Sequence, residues 1–499
     1  MAQVELVEQT FRDGQQSLWG LRMRAGVLRD VADDLERTGF RAIDITGSTM
    51  FECVVRYSRE DPWEGLDLWR QWMPTLHFRA GVGSNRIAKF GMTPDVLIDL
   101  WVQTLIKHGL NSFWVYDCLY NLEEMRRLCK TISDAGGKAL GAIMYGISPV
   151  HTDGWFAGRV AEMVSWPEVS GIYVEDAPGI LTPERAVSLV PALLGAAGGK
   201  PVEWHFHNNT GMGAVNYTKV VELGGTILHT CSRPLANGPS LPSTEQTLEN
   251  VRWLGYEHGI DTSRLPVIAA HCERVAAQEG FVVGVPNEYS TFAYRHHLPG
   301  GMTGTLKAQL AQYGMAQRLA EVLEECVRVR AELGHPISAT PFSQLIGIQS
   351  VLNVVSGQRW SVVPDEVIIY LLGKFGVPPA AVDENVKDTV LNSAHGKRFA
   401  GWERPQPSLA EIRRQYGGPG VSDEELLLRY MVPRDDLDAA KAAGPVKPGY
   451  DFHDTTTLPD LITHALTLKR PQHLHLSRDG SDLTLRRASQ QNTKPGRPR

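Results

Sequence analysis

GIYVEDAPGILTPERAVSLVPALLGAAGGKPVEWHFHNN, residues 171–209, decides the fold. It opens with an apolar run that ends on two carboxylates, Glu175 and Asp176. PERAVSLVPALLGAAG follows, with apolar residues at helical spacing, and a second apolar run, VEWHFH, then carries His205 and His207. Strand, amphipathic helix and strand in that order make a unit whose two strands run parallel, because the helix crosses over between them. The same alternation extends outward from this stretch, back to about residue 3 and on to about residue 300. VELVEQT, AIDIT, SFWVYD, ALGAIMY and ILHTC are further strand-like runs, and PDVLIDLWVQTLIKHG is a further amphipathic segment.

Seven or eight such units over about 300 residues fit an α/β fold of the (β/α)8 type, a TIM barrel. An open doubly wound sheet is the alternative. It usually carries a Gly-rich turn after its first strand, and the sequence has none there. Past HHLPGGMTGTLKAQL (residues 296–310) the pattern turns mostly helical: MAQRLAEVLEECVRVRAELG is amphipathic and stops at Gly334, and TPFSQLIGIQSVLNVVSG and PDEVIIYLLGKFG follow. The expected division is a barrel over 1–300, a helical domain over 301–440 and a C-terminal extension over 441–499. Within the extension, RPQHLHLSRDGSDLTLRR is expected to form a small strand pair. The polar, basic end ASQQNTKPGRPR is expected to be disordered.

The 499 residues are 42% hydrophobic and 21% charged, which is the balance of a soluble globular enzyme. A net charge of −6 argues against general nucleic-acid binding. No apolar run of about 18 residues is present, so no membrane span is expected. MAQVELVEQTFRDG lacks a basic region followed by an apolar stretch, so no signal peptide is expected either. The six cysteines form no CxxC pair. They read as reduced thiols of a cytoplasmic protein and do not suggest a thiolate zinc site.

Catalytic groups of a barrel come from the C-terminal ends of its strands. Arg12 and Asp13 close the first strand, Asp117 ends SFWVYD, Glu175 and Asp176 end GIYVED, and His205 and His207 lie in VEWHFHNN. An H-x-H on a strand puts both imidazoles on one face, because side chains alternate with period 2. Alone, such a pair is more often two polar strand-end residues. Combined with R-D on the first strand, it becomes a candidate site for a divalent metal, with Asp13, His205 and His207 as ligands. A metal there acts as a Lewis acid on a carbonyl and stabilises the enolate formed when a proton or carboxyl group leaves the next carbon. Arg12 either orients Asp13 or contacts the enolate oxygen, unless it only makes a strand-end salt bridge.

FRDGQQS resembles the opening motif of the metallolyase barrel superfamily. RDGQQSLWGLRMR, MFECVVRYSREDPWEGL, SPVHTDGWFAGRVAEMV, EDAPGILTPERA, RPLANGPSLPSTEQ, LPGGMTGTLKAQL and HPISATPFSQLIGIQSVLNVVSG are similar, in order, to one branch of it. That branch comprises the carboxyltransferase domains and subunits of biotin-dependent carboxylases: pyruvate carboxylase, the oxaloacetate decarboxylase α subunit and the transcarboxylase 5S subunit. The similarity covers about residues 3 to 390. It implies a barrel followed by a helical domain that completes a funnel over the active site. It implies a divalent metal (zinc, manganese or cobalt) on Asp13, His205 and His207, and contact between Gln16 and the substrate. It also implies that Thr340 carries a proton between the substrate carbon and N1 of biotin. Local sequence alone would equally make Thr340 a turn residue before Pro341. No biotin-accepting lysine in an M-K-M context and no Gly-rich ATP-binding region are present. Carboxybiotin would therefore arrive on a separate biotin carboxyl carrier protein loaded by a separate biotin carboxylase subunit. A homo-oligomer is also expected from the resemblance.

The sequence departs from that branch at several positions. Glu175 stands where the branch has a carboxylated lysine as fourth metal ligand. Glutamate is shorter, so it would ligate directly with a shifted ion or through a water. Val82 replaces the arginine that holds the substrate carboxylate, with Arg86 and Arg79 as candidate replacements. Trp114 replaces a further arginine, Asp117 is retained, and Asn208 follows the second histidine. Gln16, Arg86, Trp114, Asp117 and Asn208 are thus the expected substrate-binding set, for a carbonyl compound less charged or larger than pyruvate. The leading expectation is carboxyl transfer between carboxybiotin and a carbonyl substrate. A biotin-independent metallolyase or decarboxylase and a non-catalytic platform subunit are the alternatives.

Overall fold

The computed structural model describes residues 3–88, 91–312, 314–452, 473–478 and 481–486. Eight strands form its centre: β1 (Gln3–Glu8), β2 (Ala42–Gly47), β3 (Phe78–Gly83), β4 (Ser112–Tyr116), β5 (Lys138–Met144), β6 (Val169–Asp176), β7 (Val202–Phe206) and β8 (Ile227–Thr230). Each pairs in parallel with its neighbour. β1 closes the circle by pairing with β8, Glu5 opposite Ile227 through Glu8 opposite Thr230. Closure is what separates this barrel from an open doubly wound sheet. β6 and β7 are buried on both faces, which is why their sequences read as near-continuous apolar runs.

The crossover helices begin where their caps dictate. Thr152 accepts from the N–H of Trp155 to start Asp153–Ser165, and Thr182 accepts from Arg185 to start Pro183–Ala196. The turn after β1 is tighter. The N–H groups of Arg12, Asp13 and Gly14 all reach the carbonyl of Gln9, which swings Arg12 and Asp13 onto the barrel mouth. A side chain on Gly14 would lie 3.1 Å from Leu235 and 3.2 Å from Cys231 Sγ, so glycine lets this turn seat closely against the loop after β8.

Helices follow the barrel, among them Leu319–Glu332, Phe342–Ser356, Asp365–Leu371, Asp423–Met431 and Arg434–Ala443. They pack on the barrel within one compact unit, Met1–Tyr450; Asp451–Arg499 form a second. Arg404 donates to the Thr93 carbonyl and to Asp95, Arg59 pairs with Asp436 at 2.8 Å, and Trp63 donates to the Glu424 carbonyl. In the second unit His473–Arg478 and Ser481–Arg486 pair antiparallel, as the alternating pattern there predicts. The tail 488–499, expected to be disordered, lies outside the described residues.

The barrel interior is ionic below its mouth. Arg79 makes a two-pronged pair with Glu203 and lies 3.8 Å from Asp44. Asp44 also accepts from Gln9 at 2.8 Å and from the Trp114 indole at 3.1 Å. Burial alone would raise the Glu203 carboxyl, but Arg79 and His229 outweigh it and hold the group below its ordinary range. The stability from this pair is therefore present above the unfolded carboxyl pKa and lost as pH falls below it. Arg79→Met strands a buried carboxylate and is expected to cost about 3–5 kcal/mol at pH 7. Urea unfolding should show this loss, and the gap to wild type should narrow toward pH 4, where the stranded Glu203 of the variant takes up a proton while the paired Glu203 of the wild type stays ionised. An unchanged midpoint at pH 7 would refute the assignment.

Candidate active site

Two strand ends, those of β1 and β7, bring Asp13, His205 and His207 together. Their candidate ligand atoms all lie within 4.8 Å of one another, and all three residues are buried. Asp13 is 3.5 Å from His205 Nε2 and 3.6 Å from His207 Nε2, and the two Nε2 atoms are 3.3 Å apart.

Hydrogen bonds behind the rings fix what these atoms are. His207 Nδ1 lies 2.7 Å from the carbonyl of Pro239, which only accepts, so Nδ1 carries the proton and Nε2 a lone pair. For His205 the argument takes two steps. His229 Nε2 donates to Glu203 at 3.0 Å, so the Nδ1 of neutral His229 is an acceptor, and Gln9 donates to it at 2.8 Å. His205 Nδ1 faces that acceptor at 3.3 Å and the Tyr173 hydroxyl at 2.8 Å. Two lone pairs face to face would repel, so His205 Nδ1 carries its proton and Nε2 again presents a lone pair. Burial keeps the His205 ring well below its ordinary pKa, hence neutral. Burial opposes ionisation of Asp13 as well, but Arg12 at 2.8 Å holds it well below the usual range. Two imidazole lone pairs and a carboxylate converge with no donor between them. Such a donor set fits a divalent transition ion, and the hydrogen bonds behind it are those that orient metal-ligating histidines.

Above this group lies a cavity of about 250 Å³. Arg12, Asp13, Gln16, Trp114, Glu175 and His207 line it from the barrel, and Thr340, Ser343 and Gln344 from the helical part. The sequence-predicted residues that meet here are therefore Arg12, Asp13, Gln16, Trp114, Glu175, His207 and Thr340, with His205 buried just beneath. Glu175 is outside the three-residue group. One of its oxygens is buried without a hydrogen-bond partner, and burial, opposed by Arg12 and His207, pushes its carboxyl up to about 7. Trp114 forms a floor. Its ring stacks on Tyr173 at 4.6 Å, and the Arg12 guanidinium sits 5.3 Å above its centre. A side chain on Gly81 would lie 2.2 Å from that ring, so glycine makes room for the tryptophan.

Three predicted substrate contacts lie elsewhere. Asp117 accepts from Ser84, Asn85 and the Leu119 N–H, which ties two strand-end loops together. Asn208 accepts from the Gly213 N–H at 2.9 Å and so braces the turn after β7. Arg86 is buried near Tyr116 and Cys118 and does not line the cavity. Sequence reasoning missed Tyr173, Asp44, His229 and the Pro239 carbonyl. Tyr173 was within reach of it, two residues before Glu175 and on the same strand face.

A closed barrel with an Asp-His-His acceptor group at its mouth, covered by a helical part that brings a threonine to the same cavity, defines a metal-dependent carboxyl-transfer enzyme. The comparisons with known proteins agree. Residues 293–476 match the family described as the conserved carboxylase domain. The chain is 30% identical to the 2-oxoglutarate carboxylase large subunit of Hydrogenobacter thermophilus, over 89% of this chain and 69% of that one. It is 30% identical to a pyruvate carboxylase subunit of Methanothermobacter thermautotrophicus (85% and 75%) and 28% identical to the methylmalonyl-CoA carboxyltransferase 5S subunit of Propionibacterium freudenreichii (87% and 86%). Among solved structures, the carboxyl transferase domain of Rhizobium etli pyruvate carboxylase with pyruvate and biocytin superposes with a TM-score of 0.80 at 25% identity, covering 97% of this chain and 83% of that one. The chain belongs to the carboxyltransferases of biotin-dependent carboxylases.

The acceptor group should bind one zinc or manganese ion per chain. Asp13→Asn should abolish that stoichiometry in elemental analysis of dialysed protein, while Asn208→Ala leaves it intact. Full metal content in Asp13→Asn would remove Asp13 from the ligand set.

Proposed function

We propose that this chain is a separate carboxyltransferase subunit that exchanges a carboxyl group between carboxybiotin, delivered on a carrier protein, and a small carbonyl compound. The observation that carries this reading is the single cavity with the Asp13–His205–His207 acceptor group at its base and Thr340 on its opposite wall. The barrel, residues 1–300, would supply the metal chemistry. Residues 301–440 would supply the proton carrier, and 441–499 would be an extension. A biotin carboxylase subunit would load the carrier, and the chain would act in the cytoplasm as a homo-oligomer.

A zinc, manganese or cobalt ion on this donor set supplies Lewis acidity, lowering the cost of negative charge on a carbonyl oxygen. The chain's own residues do the rest. Arg12, fixed by Asp13 and by the Trp114 ring, presents positive charge to that oxygen. Gln16, an exposed residue at the cavity edge, holds the substrate. The Thr340 hydroxyl takes the proton from the substrate carbon and passes it to the ureido nitrogen from which the carboxyl group departs, so it ends unchanged. The side-chain amide of Gln344 donates to it at 3.4 Å, which leaves its own O–H free to donate. Glu175 would complete the ion's coordination directly or through a water. Arg86, Asp117 and Asn208 would shape the site from behind.

The substrate is inferred to be less charged or larger than pyruvate. Arg12 is the one arginine or lysine lining the cavity among the described residues, and it is already paired with Asp13. An aromatic floor favours apolar bulk beside the carbonyl. The relatives carry the names of 2-oxoglutarate, pyruvate and methylmalonyl-CoA enzymes, which sets the range to test.

Carboxyl transfer from a carboxybiotinylated carrier is to be measured against pyruvate, 2-oxoglutarate, uncharged ketones and acyl thioesters. A larger or less charged compound than pyruvate should give the highest kcat/KM, and pyruvate as best substrate would overturn the inference. Thr340→Ala should lower the transfer rate by about 100-fold or more with metal content unchanged. Avidin should abolish turnover; turnover that persists would favour a biotin-independent lyase.

A further inference from the structure

Arg330 lies in the last turn of Leu319–Glu332 and is buried, with 5% of its surface exposed. Among the described residues it has no carboxylate partner. Its guanidinium instead binds three neutral acceptors from three parts of the chain. Nε donates to the carbonyl of Pro336 at 2.9 Å. Nη1 donates to the carbonyl of Ile147, in the loop after β5, at 2.9 Å. Nη1 also meets His297 Nδ1 at 2.8 Å, and His297 Nε2 donates to the Tyr294 carbonyl, so Nδ1 is the acceptor. Burying a cation this way is costly, and three acceptors offset the cost only while all three segments stay in place.

One of those segments runs into the cavity. Pro336 begins the turn that carries Ala339 and Thr340, both of which line it. The other end of this turn hangs from the barrel too. The Ile337 N–H reaches the Cys118 carbonyl at 3.4 Å, and Cys118 Sγ reaches the Thr340 carbonyl at 3.4 Å. The barrel makes room for the tie. A side chain on Gly146 would lie 2.8 Å from Ile337 and 3.5 Å from Arg330 Nη2. With glycine at 146, the loop after β5 meets the Ile337 side chain closely.

We propose that Arg330 is a positioning residue that sets the height of Thr340 above the metal group, by tying the Thr340 turn to the loop after β5 and to the 294–297 turn. The proposal rests on Thr340 as the proton carrier. A lysine has no planar fork and cannot serve the acceptors on both sides of the guanidinium. Displacement of a reacting group by about 1 Å costs up to about 100-fold in rate.

The test is a double-mutant cycle on the full chain, using Arg330→Lys, Thr340→Ala and the double variant. Transfer is measured from a carboxybiotinylated carrier to whichever compound of the panel above is best used. Arg330→Lys alone should lower kcat by about 10- to 100-fold. KM for the carbonyl compound should stay within about twofold, and metal content should be unchanged. In the Thr340→Ala background the same substitution should lower kcat no further, because Arg330 acts only through Thr340. Deuterium exchange of the segment 335–345, which needs no substrate, should rise in Arg330→Lys and in Gly146→Ala. Wild-type kcat in Arg330→Lys, an additive loss in the double variant, or unchanged exchange at 335–345 would each overturn the proposal. If Thr340→Ala itself keeps full activity, the proton-carrier reading fails, whereas the exchange result still reports whether Arg330 holds the turn.

Discussion

Charges sealed inside the barrel must meet opposite charge, and the site depends on how they do so. Arg12 and Arg79 are both buried, and so are Asp13, Asp44 and Glu203. No one of these could stay charged alone in such a place. Arg79 takes Glu203, Arg12 takes Asp13, and Asp44 lies between, 3.7 Å from Arg12 and 3.8 Å from Arg79. Asp13 is thereby kept ionised where burial alone would protonate it. Glu203, kept ionised by Arg79, fixes the tautomer of His229 and through it that of His205. The acceptor character of His205 is thus inherited from the Arg79–Glu203 ion pair, while that of His207 comes from the Pro239 carbonyl.

The aromatic floor belongs to the same arrangement. Trp114 donates to Asp44, stacks on Tyr173 and carries Arg12 on its face, and Tyr173 touches His205. An arginine at this position would bring a third buried cation to Asp44, which already lies 3.7 Å from Arg12 and 3.8 Å from Arg79. The tryptophan keeps the hydrogen bond to Asp44, drops the charge, and needs Gly81 beside it. The floor of the pocket is therefore aromatic, and the tryptophan and Gly81 go together.

Much of this was legible in the sequence. The barrel was, because parallel strands buried on both faces give short apolar runs at regular spacing. The Asp-His-His group was, because period 2 keeps His205 and His207 on one face even though β7 ends at Phe206. Comparison with the family's strand motifs makes Asp117 and Asn208 expected substrate contacts. What separates a ligand contact from a loop brace there is the direction of one side chain, and turn geometry decides it: Asp117 turns back to the Leu119 N–H and Asn208 to that of Gly213. Arg86 is similar, since four residues beyond Val82 is close along the chain and still behind the cavity wall. Thr340 could be tied to the site only through family resemblance. No local pattern links it to Asp13, from which more than three hundred residues separate it.

That distance has a chemical reason. At the base of the cavity the barrel offers groups already committed. Asp13 is held by Arg12 and by Ser17, which donates to it at 2.9 Å. The histidine rings have their protons fixed on the side away from the cavity. Each of these arrangements serves an acceptor group, and a group that must first take a proton and then give it up cannot be locked in that way. The proposed carrier needs a neutral hydroxyl, free to turn, on the wall opposite the charge. The strands cannot reach that wall. A second layer of helices, bound to the barrel by contacts such as Arg404 to Thr93 and Arg330 to Ile147, can. The helical part thus supplies the wall that carries Thr340, and on the proposed mechanism the ties that set its height belong to the chemistry as much as the groups at the cavity base.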